Sequence, residues 1–219
     1  MPKVIFKFNK EKDLWNNWDT INSSSPWGGK NKKISILSKM CKGKKLKECK
    51  KDLEKFYKSV YESKLLSLII ESFQKAWDEI SNEFFIRLKK ITKKSFPFDK
   101  ITAYLTMQLR CPYDFDKPWF MVSMFRSIPS VLETCGHELM HIHFHYYYWK
   151  KAERKIGKVK TADLKESLTA LLNSEFKDLW FVRDEGYPKH KKLRQFIEKE
   201  WKKQKDFDIL LQRCIEYLK

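Results

Sequence analysis

Thr134-Cys135-Gly136-His137-Glu138-Leu139-Met140-His141-Ile142-His143 is the most informative stretch of the chain, and four of the five histidines fall between positions 137 and 145. It contains His-Glu-x-x-His at 137–141. Four residues on an α-helix are just over one turn, so His137 and His141 project from one face and can grip one cation. Glu138 is offset from His137 by about 100°. From there it can reach a water held by that cation without ligating the cation itself. Neutral imidazole suits zinc, and two histidines plus one carboxylate leave a fourth position open.

Working outward, Ser127-Ile128-Pro129-Ser130 supplies helix-start chemistry, and the spacing predicts a helix to about residue 150. Two strand-like segments precede it, at 101–110 and 119–125. The Pro- and Asp-containing stretch 111–118 joins them, which predicts an antiparallel pair. Phe96-Pro97-Phe98-Asp99 ends a helical pattern in which Leu66, Ile69, Ile70, Phe73, Trp77, Ile80, Phe84, Leu88 and Ile91 form one apolar stripe. Leu46, Leu53, Phe56, Tyr57 and Val60 predict a shorter, more basic helix before it. Residues 3–8 alternate like a strand, whereas 9–43 read as irregular, with Ser23-Ser24-Ser25-Pro26 and Gly28-Gly29 marking a loop. Downstream, a helix is expected from Thr161 to about residue 180, then a turn at Gly186-Tyr187-Pro188 and two helical pieces over 189–218.

The expected fold class is α+β: mostly helical, with a small mixed or antiparallel sheet packed on the His-Glu-x-x-His helix. A single domain over 1–219 is expected, with a mostly helical part at 1–95 and the metal-site part at 96–219.

The third ligand is open among carboxylates of the following helix. Glu166 has Ala162, Thr169, Ala170 and Asn173 as helical neighbours, small or polar residues that leave room for a metal. Glu175 lies among Leu171, Leu172 and Leu179, which suits a core-edge salt bridge, and Asp163 is a further alternative. His145 is two turns from His137, about 12 Å of rise, so it cannot share the same centre. His143 points elsewhere by helical phase.

His137-Glu138-Leu139-Met140-His141 followed by a helix-borne Glu resembles the gluzincin branch of zinc metallopeptidases. The His-Glu-Leu-x-His-x-x-x-His run ending at His145 is similar to small cytoplasmic members, including ImmA/IrrE-type proteins. The resemblance spans roughly residues 119–176. It implies a zincin fold, one Zn2+ per chain held by His137, His141 and Glu166, Glu138 as general base, and a peptide or protein substrate. It also implies that the strand at 119–125 pairs with substrate at its edge, and that Tyr187 or His190 supplies the oxyanion donor. Many gluzincins carry Asp four residues after the third ligand to orient a histidine. Ala170 stands there in this chain, so Asn173 is expected to take that role.

The 219 residues carry 46 Lys+Arg against 28 Asp+Glu, a net charge of +18. Aromatic residues at 15% and hydrophobic residues at 42% exclude a disordered basic tail. Only seven of the basic residues are Arg, and Lys serves well as a solubilising point charge. A weak polyanion or nucleic-acid contact is nonetheless an expectation, motivated by the basic segments 30–58, 150–160 and 189–205. It carries the alternative reading, a zinc-containing regulatory or nucleic-acid-associated protein with little or no peptidase activity. The five cysteines include no Cys-x-x-Cys pair, which fits reduced thiols and a cytoplasmic location. No apolar run is long enough to span a membrane.

Overall fold

The computed structural model describes residues 1–23 and 36–219. Most of the Ser- and Gly-rich loop expected around 23–29 lies outside the described residues. The first strand, β1 (Lys3–Phe8), is followed by α1 (Lys10–Asn22), α2 (Ile36–Cys41), α3 (Leu46–Tyr61) and the long α4 (Lys64–Thr92). Three strands come next: β2 (Lys100–Thr106), β3 (Tyr113–Asp114) and β4 (Trp119–Ser123). The chain then turns helical through α5 (Ile128–Tyr147), α6 (Trp149–Leu168), the short α7 (Leu172–Glu175) and α8 (Lys177–Trp180), α9 (Lys191–Lys203) and α10 (Phe207–Leu218). The protein is α+β, dominated by helix, with one small mixed sheet among the described residues.

That sheet has the order β1-β2-β4-β3. β1 and β2 are parallel, and so are β2 and β4; only β3 and β4 are antiparallel. The expected antiparallel pairing of the two main strands is therefore corrected. The chain overshoots after β2, makes β3 at the far edge, and turns through Phe115–Pro118 so that β4 inserts between them. The carboxylate of Asp114 shapes this turn by accepting from the backbone N–H of Asp116 and Lys117. A second correction follows. β4 is flanked on both sides, and Met121 N–H donates to the Pro112 carbonyl, so the open edge beside α5 belongs to β3 rather than β4.

At the opposite edge, β1 buries Val4 and Phe6 and turns Lys3 and Lys7 outward, as its alternation requires. The Gln74 side chain of α4 reaches β1, accepting from Phe6 N–H at 2.9 Å and donating to the Val4 carbonyl at 3.0 Å. Along α4, Leu66, Phe73, Trp77, Phe84 and Leu88 form the buried stripe that its spacing predicted.

Residues 10–22, expected as irregular, form α1. Its inward residues are polar: Asp13, Asn16 and Asn17 are all buried. Each is satisfied by a distant partner. The Asp13 carboxylate accepts from Thr106 Oγ1, Met107 N–H and the Tyr61 hydroxyl, while Asn17 Oδ1 accepts from Tyr57 and Gln108. A local apolar pattern would not reveal such a helix, because its buried face pairs by hydrogen bonds rather than by greasy contact.

α5 runs through the middle of the molecule. Ser127 caps it by accepting from Ser130 N–H, Pro129 sits in its first turn, and Val131, Leu132, Cys135, Leu139, Ile142 and Phe144 are buried. Gly136 lets α8 approach: a Cβ there would lie 2.6 Å from the Trp180 ring. Trp180 stacks in parallel on Phe176, which packs 5.1 Å from Phe84 of α4. Each buried Phe of this kind contributes roughly 1.5–3 kcal/mol. The His-Glu-x-x-His helix is thus clamped between α4 and the C-terminal helices.

Candidate metal centre

His137 and His141 share one face of this helix, with ring centroids 4.3 Å apart. The second element is the latter half of α6. α6 starts one residue after α5, earlier than Thr161, and bends at Gly157, which takes a left-handed φ of 76° with open space where a Cβ would be. The bend brings Glu166 back across α5. Its Oε1 lies 3.3 Å from His141 Nε2, and its Oε2 lies 3.7 Å from His137 Nε2.

A tetrahedral ion with bonds of about 2.0–2.1 Å separates its ligand atoms by about 3.3–3.4 Å, so both spacings suit one small cation. Two buried polar atoms nearby, His141 Nδ1 and Glu138 Oε2, have no hydrogen-bond partner among the described residues. The donor set fits zinc: two imidazole nitrogens and one carboxylate, with an unsatisfied carboxylate oxygen alongside.

The charge balance points the same way. Burial opposes ionisation of Glu166, but His141, His137 and Lys165 hold its carboxyl well below the usual range. Burial drives His141 down to about 3, leaving it the neutral imidazole that a metal needs. His137 is pulled down by burial yet ends well above its ordinary value, because its bonds to Asp184 and Glu166 outweigh the desolvation. The carboxylates therefore draw positive charge to this point. Burial also pushes Glu138 up to about 8, with His137 and Lys165 pulling against it.

Around the cluster is a supporting shell that sequence reasoning missed. His137 Nδ1 donates to Asp184 Oδ2 at 3.1 Å. Asn173, expected to orient a histidine itself, acts one step further out. It binds the Asp184 backbone in both directions, donating to the carbonyl and accepting from the N–H. Arg194 donates to the same carbonyl at 2.6 Å, and Gly186 N–H donates to Asp184 Oδ1. Gly186 is required here by its φ of 63° and by the Arg194 side chain 2.8 Å from where a Cβ would stand. An Asp two residues before a Gly is a turn signal, and it was the available clue to Asp184.

Lys165, buried beside Glu166, donates to Glu166 Oε1 and to the Tyr113 hydroxyl, both at 2.8 Å. Tyr113 of β3 also bonds His145 Nε2, and His145 is stacked between Phe115 and Trp149. His145 accordingly stands outside the cluster. His143 is buried behind the helix with its Nε2 on Thr92 Oγ1. No local pattern could have flagged Lys165 or Tyr113, because only the returning α6 and the β3 detour bring them in.

The other sequence-predicted residues fall as follows. Glu175 accepts from Trp201 and Lys205 away from the cluster, and Asp163 pairs with Lys189 and His190. Buried His190 is thereby engaged with Asp163, while Tyr187 stands 38% exposed on the loop before it. Burial raises the Tyr187 hydroxyl, and the charges of Glu166 and Glu138 raise it further. Glu133, one turn before His137, forms a second acidic group with His137 and Asp184, and desolvation raises it to about 7.

No helix among the described residues is long and apolar enough to cross a membrane. No protein-family model, curated protein or solved structure matches the chain.

Proposed function

We propose that this chain is a zinc-dependent metallopeptidase with a zincin-like fold, holding one Zn2+ through His137, His141 and Glu166. The observation that carries the reading is the convergence of two Nε2 atoms and one carboxylate at donor spacings of 3.3 and 3.7 Å, with Glu138 beside them. Bound zinc supplies Lewis acidity, lowering the pKa of water and polarising a substrate carbonyl.

The chain's own residues do the rest. Glu138 takes the proton of the attacking water on its unpaired Oε2 and delivers it to the leaving amine. Its raised affinity for protons suits both halves of that transfer, since an efficient general base and acid titrates near neutrality. Asp184 holds His137 in the tautomer that leaves Nε2 free to ligate. Tyr187, half-exposed directly after Gly186 in the bend that holds Asp184, is the oxyanion donor. His190 is retained by Asp163 and serves the loop rather than the reaction. The β3 edge, beside His141 through Tyr113, is where an extended peptide pairs.

Metal analysis of the purified protein, combined with peptide hydrolysis assays, tests the reading. One zinc per chain is expected in the wild type and in Glu138→Gln, with hydrolysis lost in the variant. A wild type without zinc would overturn it, and so would a variant as active as the wild type.

A further inference from the structure

Most basic residues outside the metal centre are unremarkable solvated lysines, but one helical face is different. The first half of α6 presents Lys150, Lys151, Arg154 and Lys155 at helical steps of one and four, and Lys158 follows the Gly157 bend. All five are exposed, and among the described residues none makes an ion pair. Glu153, the one acidic residue in this run, is engaged by Trp149 Nε1 at 3.1 Å.

The other basic segments differ. Over 189–205, Lys189, Lys203 and Lys205 are paired with Asp163, Glu200 and Glu175, and the exposed Lys191, Lys192, Lys199 and Lys202 are interspersed with Glu198 and Glu200. On α3, Lys50 pairs with Glu11, while Glu48, Asp52 and Glu54 break up the charge; residues 30–35 lie outside the described residues. Arg154 adds a second distinction. Arg87, Arg110, Arg183, Arg194 and Arg213 all face carboxylates, and Arg126 bonds Thr134, whereas Arg154 stands in the open among lysines.

We propose that this face of α6 is a docking surface for the phosphate backbone of duplex nucleic acid. Lys150 to Lys155 span about 7.5 Å along the helix axis, with Lys158 just past the bend, and duplex DNA carries a charge every ~1.7 Å, so the row meets a denser line of opposite charge. A membrane surface fits less well. A helix that lies in a bilayer inserts an apolar face, and the inward face of this one is already spent: Ala152 is fully buried and Ile156 packs on the core. The face is independent of the metal reading, because none of its residues touches the cluster.

The test is fluorescence anisotropy with 20-base-pair DNA and RNA duplexes across a salt series, using the whole chain. Wild type is expected to bind with a log–log salt slope of about −4 to −5, as five phosphate contacts predict. Lys151→Glu/Arg154→Glu/Lys155→Glu should lower that slope by about 3 and weaken binding at least tenfold at 100 mM salt. The neutral variant Lys151→Gln/Arg154→Gln/Lys155→Gln should also weaken binding, so the outcome does not depend on one set of charges folding well. Lys47→Glu/Lys51→Glu/Lys55→Glu, an equal charge change on exposed positions of α3, should leave the slope unchanged. Two results would overturn the proposal: no duplex binding at 50 mM salt, or an equal loss in the α3 variant. Similar binding of DNA and RNA is expected, because the phosphates are what the two share.

Discussion

His137 and Asp184 meet at 3.1 Å through Nδ1 and Oδ2, joining α5 to a loop that follows α8. Asp184 is itself fixed: Asn173 and Arg194 hold its backbone, and Gly186 N–H donates to its carboxylate. The ring of His137 is therefore oriented before any cation arrives.

Removing that orientation weakens metal binding without emptying the donor set. Asp184→Asn is expected to lower zinc affinity about 10–100-fold, the usual cost of losing a partner behind a ligating histidine. Competition against a chromogenic chelator measures it. An affinity equal to wild type would show that His137 needs no such support.

Tyr187 tests the assignment of the oxyanion donor. Tyr187→Phe should lower kcat about 10²–10³-fold and leave KM nearly unchanged, as expected for a bond made in the transition state. A rise in KM alone would make the phenol a substrate-binding group instead.

Gly136 tests the packing behind the site. A methyl group there meets the Trp180 ring at 2.6 Å and the Phe84 ring at 3.3 Å. Gly136→Ala should destabilise the fold by about 1–3 kcal/mol through overpacking, read by urea denaturation. Stability at or above wild type would mean that Trp180 can swing aside.

Asp13 sets a pH dependence remote from the histidine cluster. Burial raises its carboxyl above the ordinary value, outweighing the hydrogen bonds from Thr106, Tyr61 and Met107 that lower it. The native state thus holds a proton more tightly than the unfolded chain does. That contribution to stability is complete below the unfolded pKa, about 3.9, and is lost as pH rises through the native value. The unfolding free energy of wild type relative to Asp13→Asn should fall over that window. Parallel curves would show that Asp13 does not titrate differently in the two states.

Patterns of apolar spacing made α4 legible, and the helix-start residues at 127–130 made α5 legible. The motif at 137–141 then placed two imidazoles on one face, and the small neighbours of Glu166 marked it out from Glu175. What escaped was set by partners far away in the chain. α1 is hidden because Asp13, Asn16 and Asn17 look like loop residues until Thr106, Tyr57 and Tyr61 satisfy them. The start of α6 is hidden because an aromatic block, a lysine run and Gly157 interrupt its pattern. Parallel pairing of β2 with β4 depends on the β3 detour, and the stretch 111–118 reads equally well as a simple hairpin turn. Lys165 and Tyr113 reach the cluster only through those two returns of the chain.

Gln74 carries a consequence for the molecule in company. A sheet's outermost strand is a template on which another chain can build, and β1 would offer its free Phe6 N–H and Val4 carbonyl to any passing extended segment. The primary amide of one α4 side chain occupies both groups, standing in for the peptide unit of a neighbour. Replacing Gln74 with a residue unable to bond would leave the interior and the histidines untouched. It would instead open a route to edge-to-edge self-association, a route that a single glutamine closes.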